Sequence, residues 1–214
     1  MGYAREMPAS ADVVEEIVAV AGQEVALLRP RDYDAMLTEE AFESEDLLPY
    51  WAQVWPSALA LAEVLTARRW RGARMLELGC GLGLASIVAA RAGARVTASD
   101  WSQLAIDNAI ENAGRNGVEL ETIVADWDEP AALLAAAPFD LVVAADVLYE
   151  IRKGETLSRL LPRLTREVIL ADPQRASAEG FFDAVAVGWE RSELSSRTDP
   201  RVTVHRLRRA AVAA

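Results

Sequence analysis

The residues best placed to do chemistry form the run Glu77-Leu78-Gly79-Cys80-Gly81-Leu82-Gly83, in which glycines recur at every second position behind an acid. Glycine lets backbone groups approach a ligand closely and reach positive φ. The spacing is G-x-G-x-G, and Leu84 stands where the dinucleotide fingerprint G-x-G-x-x-G has its last glycine. Glu77, just ahead of the first glycine, suits a ligand that carries an ammonium group and no pyrophosphate. A generic glycine turn is the plainer alternative, so the loop needs support from elsewhere. Asp100 gives it: about twenty residues downstream, it ends the run Val96-Thr97-Ala98-Ser99 and is placed to accept hydrogen bonds from ribose hydroxyls. A third run closes in Val124-Ala125-Asp126-Trp127, where a carboxylate can receive an adenine amino group and an indole can flank the ring. A fourth, Leu141 to Ala145, ends in Asp146, with Tyr149 and Glu150 just after. Asp146 fits either contact with an acceptor molecule or a helix N-cap. Cys80 reads as a small loop residue and not a nucleophile, because the lone histidine, His205, is remote in sequence.

Successive strand ends can carry polar residues to one rim only if strands alternate with helices, and the chain beyond Gly72 has that pattern. Runs rich in Val, Ile and Leu predict strands over Arg74 to Leu78, Arg95 to Ser99, Leu120 to Ala125, Phe139 to Ala145 and Glu167 to Ala171. Between them, helices are predicted over Leu84 to Ala92, Leu104 to Arg115, Pro130 to Ala137 and Leu157 to Leu164. The result is an α/β fold, doubly wound, with a mainly parallel sheet covered on both faces. After a helical stretch, Ser177 to Val187, the runs Trp189 to Ser196 and Val202 to Leu207 joined at Asp199-Pro200 predict an antiparallel hairpin at the sheet edge. Asp172-Pro173, after the fifth strand, fits either the same rim or a turn.

Ahead of this core, Val13, Val14, Ile17, Val18 and Ala21 recur at helical spacing behind Asp12, Glu15 and Glu16, which predicts a short amphipathic helix. An extended piece, Val25 to Leu28, stops at Pro30, and the acidic Asp32 to Asp46 reads as a loop with a short helix. Pro56 and Ser57 introduce a helix over Leu59 to Leu65. Trp51 and Trp55 either staple this extension to the sheet or face a ligand; the Trp55-Pro56 step restricts the Trp55 ring and favours the ligand. Without repeats or linkers, residues 1–214 form one expected domain, with 1–56 as an extension on the substrate side and 57–214 as the ligand-binding core.

With 214 residues, 52% of them hydrophobic, the chain can bury a sizeable core. One cysteine and one histidine allow no internal disulfide and no His/Cys metal cluster, which points to a reducing, cytoplasmic setting and no metal site. Neither a secretion signal nor a membrane span is expected. A net charge of −11 argues against nucleic acid as a partner, and the basic stretch Arg201 to Arg209 fits the exposed side of a late strand. No assembly signal fixes the oligomeric state.

The stretch Leu48 to Pro173, above all Glu77 to Gly83, Asp100, Asp126-Trp127 and Asp146-Val147-Leu148-Tyr149, resembles the seven-strand, class I methyltransferases that use S-adenosylmethionine. Within them, Pro49-Tyr50-Trp51-Ala52-Gln53-Val54-Trp55-Pro56-Ser57 and Asp-x-x-Tyr after the fourth strand are similar to the non-histone protein lysine methyltransferases. The branch that modifies the electron-transfer flavoprotein beta subunit is the nearest likeness, also through Leu170-Ala171-Asp172-Pro173. The resemblance implies a seven-stranded, Rossmann-like methyltransferase fold and S-adenosylmethionine as cofactor. It completes a candidate cofactor set of Trp55, Glu77, Gly79, Cys80, Gly81, Gly83, Asp100, Trp101, Asp126, Trp127 and Ala145, with Asp146 and Tyr149 facing the acceptor. The implied acceptor is a protein lysine; small-molecule amine N-methyltransferases share much of the pattern. A nicotinamide-dinucleotide oxidoreductase is disfavoured by Leu84, and a non-catalytic cofactor-binding module by the intact set Glu77, Gly79, Gly81, Asp100 and Asp146.

Methyl transfer from a sulfonium requires neither a metal nor a histidine base, only orientation and exclusion of water. The attacking amine must be neutral. Burial and the sulfonium charge favour that, whereas Asp146 holds the proton on, so Asp146 is assigned to capture and orientation, with Tyr149 offering an aromatic face to the cation.

Overall fold

The computed structural model describes residues 13–32 and 49–209. Apart from Asp32, the acidic stretch expected as a loop with a short helix lies outside them.

The first element corrects the sequence reading. Val13–Val20 is a strand, β1, paired antiparallel with β2 (Gln23–Pro30), and not a helix. Val18 and Val20 are buried while Ile17 is 55% exposed, a period of two. Valine and isoleucine are stiff at χ1 and favour a pleated surface, so the β-branched run wins once a partner strand exists. Ala21 and Gly22, both at positive φ, make the tight turn. The free edge of β2 is closed by side chains: Asn112 Oδ1 accepts from Leu28 N at 2.7 Å, and Asn112 Nδ2 donates to Leu28 O at 3.2 Å. Asn116 repeats this on Ala26, at 3.1 and 2.7 Å. One helical turn between the asparagines matches a two-residue step along the strand, so two amides replace a neighbouring strand.

Pro56 opens helix α1 (Pro56–Thr66) at a position where its missing N–H has no helical partner in any case. Then β3 (Arg74–Leu78), α2 (Leu84–Arg91), β4 (Arg95–Asp100), α3 (Gln103–Arg115), β5 (Glu121–Val124), α4 (Ala131–Ala136), β6 (Leu141–Ala145), α5 (Ile151–Leu164), β7 (Glu167–Asp172) and α6 (Glu179–Ala186) alternate as expected. The chain ends its described course in β8 (Trp189–Leu194) and β9 (Thr203–Arg209). The sheet order is β5-β4-β3-β6-β7-β9-β8, parallel from β5 to β7, with β9 antiparallel to both neighbours. The expected terminal hairpin is therefore present, with its second strand inserted against β7 and its first left at the edge.

Both faces of the sheet are covered. Met75, Leu141, Val143, Ile169 and Val204 pack under α1, α2 and the β1–β2 hairpin, while Leu76, Val142, Ala144, Val168 and Leu207 pack under α5 and α6. Alternation within β6 thus serves two cores, as parallel strands require. Arg206 departs from the exposed position expected of it: its neighbours in the sheet cover it, and Nη2 pairs with Glu167 at 2.5 Å. Among the described residues no helix is long and apolar enough to cross a membrane.

Candidate functional site

Strands β3, β4 and β6 end at one rim, and the loops leaving them enclose a cavity of about 370 Å³, a volume in the range of small-ligand sites. Its floor is the glycine loop. Gly79 (φ 67°) and Gly81 (φ 50°) hold left-handed backbone, and a Cβ on Gly81 would lie 3.2 Å from the Trp51 carbonyl oxygen. A Cβ on Gly79 would meet Val147 Cγ1 at 3.2 Å. Both therefore leave the backbone bare against the cavity. Gly83 serves packing instead. It precedes α2 and would bring a Cβ within 3.1 Å of Ala109 on α3, so it seats the loop on that helix and does not line the cavity.

Two buried acids stand at the strand ends. Asp100 accepts Gly81 N at 3.1 Å on one oxygen and Ser102 N at 3.0 Å on the other, and burial pushes it up to about 6 against those bonds. Glu77 accepts Ser86 N at 2.8 Å and the Ser86 hydroxyl, while burial pushes it up to about 8. Ser86 is in the first turn of α2, where backbone N–H groups lack helical partners, so Glu77 acts as a cap reaching from the preceding strand. Ser86 uses only Oε2, and Glu77 lines the cavity.

Cys80, Trp101, Trp127 and Ala145 also line the cavity. Asp126 does not. Its Oδ1 accepts Asp128 N at 2.9 Å in a tight turn and lies 3.9 Å from Lys153 Nζ, so the turn brings Trp127 to the ligand side and leaves the acid half-exposed. The expected placement of Asp126 on an adenine amino group is not the one its side chain adopts.

The opposite wall comes from the stretch before α1. Tyr50, Trp51, Gln53, Val54 and Trp55 all line the cavity, so Trp51 and Trp55 face it together. Trp55 Nε1 donates to Tyr50 O at 2.7 Å, and the Tyr50 ring lies 5.5 Å from Tyr149 and 6.2 Å from Trp55. Of the extension's described residues, this stretch lines the site, whereas the β1–β2 hairpin packs on α2 and α3.

Asp146 sits at φ 58°, its side chain 8% exposed; its Oδ1 accepts a hydrogen bond from Arg175 Nε at 2.7 Å and lies 2.7 Å from Nη2 in an ion pair. It is not a helix N-cap, since α5 begins later, after Glu150. Arg175 and Tyr50 are site residues that sequence reasoning missed. Asp172, the open case at the end of β7, accepts Arg175 N at 2.9 Å and so builds the turn that presents Arg175. His205 is buried in β9 against Phe182, 4.5 Å between ring centroids, and does not line the cavity.

A bare-backbone loop, a deep acid on β4, flanking indoles and an acidic far end fit an adenosyl ligand with a positively charged tail. The family described as "Lysine methyltransferase" matches residues 43–186. The chain belongs to that family. Histone-arginine methyltransferase METTL23 of Xenopus laevis is 32% identical over 152 residues, covering 65% of this chain and 64% of the relative. Electron transfer flavoprotein beta subunit lysine methyltransferase of Xenopus laevis is 34% identical over 137 residues, covering 60% and 54%. The chain thus spans less than two thirds of the length of either family relative. Among solved structures, the 16S rRNA N2 G1207 methyltransferase RsmC of T. thermophilus has a TM-score of 0.69 at 17% identity, over 95% of this chain and 52% of that one. Ribosomal protein L11 methylase of Lactobacillus delbrueckii subsp. bulgaricus has a TM-score of 0.58 at 21% identity, over 72% and 79%. These likenesses bear out the seven-stranded, Rossmann-like methyltransferase fold.

Proposed function

We propose that this chain transfers a methyl group from S-adenosylmethionine to the side-chain amine of a lysine in a protein acceptor. One observation carries the reading: a single cavity joins the glycine loop and Asp100 to the acidic end at Asp146 and Tyr149. Family membership and relatives named for protein lysine and arginine methylation support it.

When bound, the cofactor supplies a methyl group already activated on a positive sulfonium. Gly79, Cys80 and Gly81 offer backbone to it, Asp100 accepts from ribose hydroxyls, Trp101 and Trp127 flank the base, Glu77 meets the ammonium end, and Trp55 with Ala145 closes the cavity. Gly83 and Asp126 contribute by shaping the loop and the Trp127 turn. Asp146 orients the acceptor nitrogen while Tyr149 and Tyr50 form its aromatic wall and keep water out. A free lysine amine titrates near about 10.4, so the site has to favour the neutral form by about three units at neutral pH. Burial beside the sulfonium does so.

The same reading makes residues 1–214 one domain with an acceptor-side extension, placed in the cytoplasm and without a nucleic-acid partner, as the free Cys80 and the charge of −11 support. Incubation with methyl-labelled cofactor and cell extract, beside an Asp100→Ala control, tests it. Label in a protein band that the control lacks is expected; label confined to small molecules moves the acceptor to a free amine, and saturable binding of NADH alone ends the reading.

A further inference from the structure

Asp146 faces a conflict in any amine methyltransferase: a carboxylate that binds an ammonium also keeps it protonated, and a protonated amine has no lone pair with which to attack. The surroundings of Asp146 resolve it. Arg175 places Nε and Nη2 on the same oxygen, Oδ1, each at 2.7 Å. Among the described residues nothing hydrogen-bonds Oδ2, and Asp146 lines the cavity. One oxygen is loaded with a permanent cation while the other remains available to an acceptor.

This geometry is fixed from both sides. Arg175 follows Gln174, held at φ 60°, and its own N–H is tied to Asp172 Oδ1 at 2.9 Å. Asp146 is held at φ 58° with its N–H on Ala171 O at 2.9 Å, and Ser177 Oγ donates to Leu148 O at 2.5 Å, which joins the two loops. Left-handed backbone at two non-glycine residues on one rim is uncommon and marks a constrained site. The other titratable groups that share the cavity with Asp146 are Glu77, Cys80, Asp100, Tyr50 and Tyr149, with Asp172 behind Arg175; Lys153 Nζ lies 3.9 Å from Asp126 Oδ1. Arg175 is therefore the cation that answers this carboxylate.

We propose that Arg175 is a positioning residue for the transfer: it orients and neutralises Asp146, so that the carboxylate offers one oxygen to an acceptor amine without holding that amine in its protonated form. The inference rests on the amine-methylation reading above and deepens it. The proton leaves the ammonium to water, the freed lone pair forms the bond to the methyl carbon as the carbon–sulfur bond breaks, and the positive charge passes from sulfur to nitrogen. Arg175 accelerates the first of these events by lowering the proton affinity of the bound amine.

The test uses Nα-acetyl-lysine methylamide labelled with carbon-13 at Cε, bound to the full chain together with S-adenosylhomocysteine and titrated by NMR. The amine is expected to titrate about one unit higher on R175Q than on the unaltered protein, a tenfold smaller reactive fraction at neutral pH, while its ammonium form binds more tightly. R175K restores the lower value, and R175M repeats the comparison should the glutamine variant fold poorly. S-adenosylhomocysteine affinity, unchanged throughout, reports that the fold is intact. A probe that binds and is methylated yet titrates alike on the unaltered protein and R175Q overturns the inference alone. A protein that binds S-adenosylhomocysteine but neither binds nor methylates the probe removes the lysine reading, and the inference with it.

Discussion

Asp100 Oδ2 accepts the backbone N–H of Gly81 at 3.1 Å, which ties the end of β4 to the glycine loop that leaves β3. The same carboxylate therefore shapes the floor of the cavity and lines it. Asp100→Ala is expected to weaken S-adenosylhomocysteine binding by at least about tenfold, since both a ligand contact and a loop restraint disappear, each charge-assisted bond contributing about 1.5–3 kcal/mol. Calorimetric titration checks this, and affinity within twofold of the unaltered protein removes Asp100 from the binding set.

Gly81 is left-handed with a backbone carbonyl 3.2 Å from where its Cβ would be, whereas Gly22 is left-handed with nothing within 4 Å. Alanine at Gly22 is expected to cost about 1 kcal/mol of stability through backbone strain alone and to leave ligand binding intact. Alanine at Gly81 adds displacement of Trp51 and is expected to reduce S-adenosylhomocysteine affinity as well. Melting curves and titrations of both variants separate the effects; equal binding by both contradicts the close approach at Gly81.

Asn112 is fully buried and serves Leu28 N, Leu28 O and Leu82 O. Asn112→Ala strands those backbone groups, and a loss of about 2–4 kcal/mol is expected from unpaired buried polar atoms. Hydrogen exchange gives a local check: the Leu28 amide should lose protection before the amides of β6 do. Undiminished protection at Leu28 contradicts the role of the asparagine as a substitute strand.

Stability should fall as pH rises across neutrality in the ligand-free protein. Glu77 is pushed up from 4.5 to about 8, chiefly by burial, so the native state holds its proton more tightly than the unfolded chain does. Its contribution is complete below 4.5 and fades as the pH climbs to about 8. Asp100, raised from 3.8 to about 6, has the same sign. Glu63 has the opposite sign: the Ser196 hydroxyl, followed by the Arg197 N–H, draws it from 4.5 to about 2, and its contribution is lost as the pH falls through that value. Glu77→Gln is expected to flatten the decline between 4.5 and 8 by at least about 1 kcal/mol. A variant whose melting temperature declines as steeply as that of the unaltered protein refutes the assignment.

Asp146→Asn keeps the size of the side chain and removes its charge. Methyl transfer is expected to drop at least about tenfold while S-adenosylhomocysteine affinity holds, because the loss concerns the acceptor and its transition state. Full turnover and unchanged acceptor affinity refute a role for this residue.

The alternation from Arg74 to Asp172 was legible because a parallel strand buried on both faces must be apolar throughout, and its polar end then stands out: Asp100 and Asp146 were found in this way. The same rule located Asp126 but not its direction, since a carboxylate beside a turn can serve the turn, as it does for Asp128 N. Val13 to Ala21 reads as a helix because its five apolar positions fit a period of 3.6, while the period of two shows only in the burial of Val18 and Val20, once the Ala21-Gly22 turn brings β2 alongside. Pairing across the fold obeys no spacing rule at all. Asn112 with Leu28, Glu77 with Ser86, Tyr50 with Tyr149 and Arg175 with Asp146 meet because separate loops converge at one sheet edge or one helix face. The residue pattern by itself determined the layered sheet and the rim where a ligand sits, through burial and periodicity. Tertiary structure alone decided which polar groups face one another there, because hydrogen bonds and ion pairs depend on distances that the order of residues does not carry.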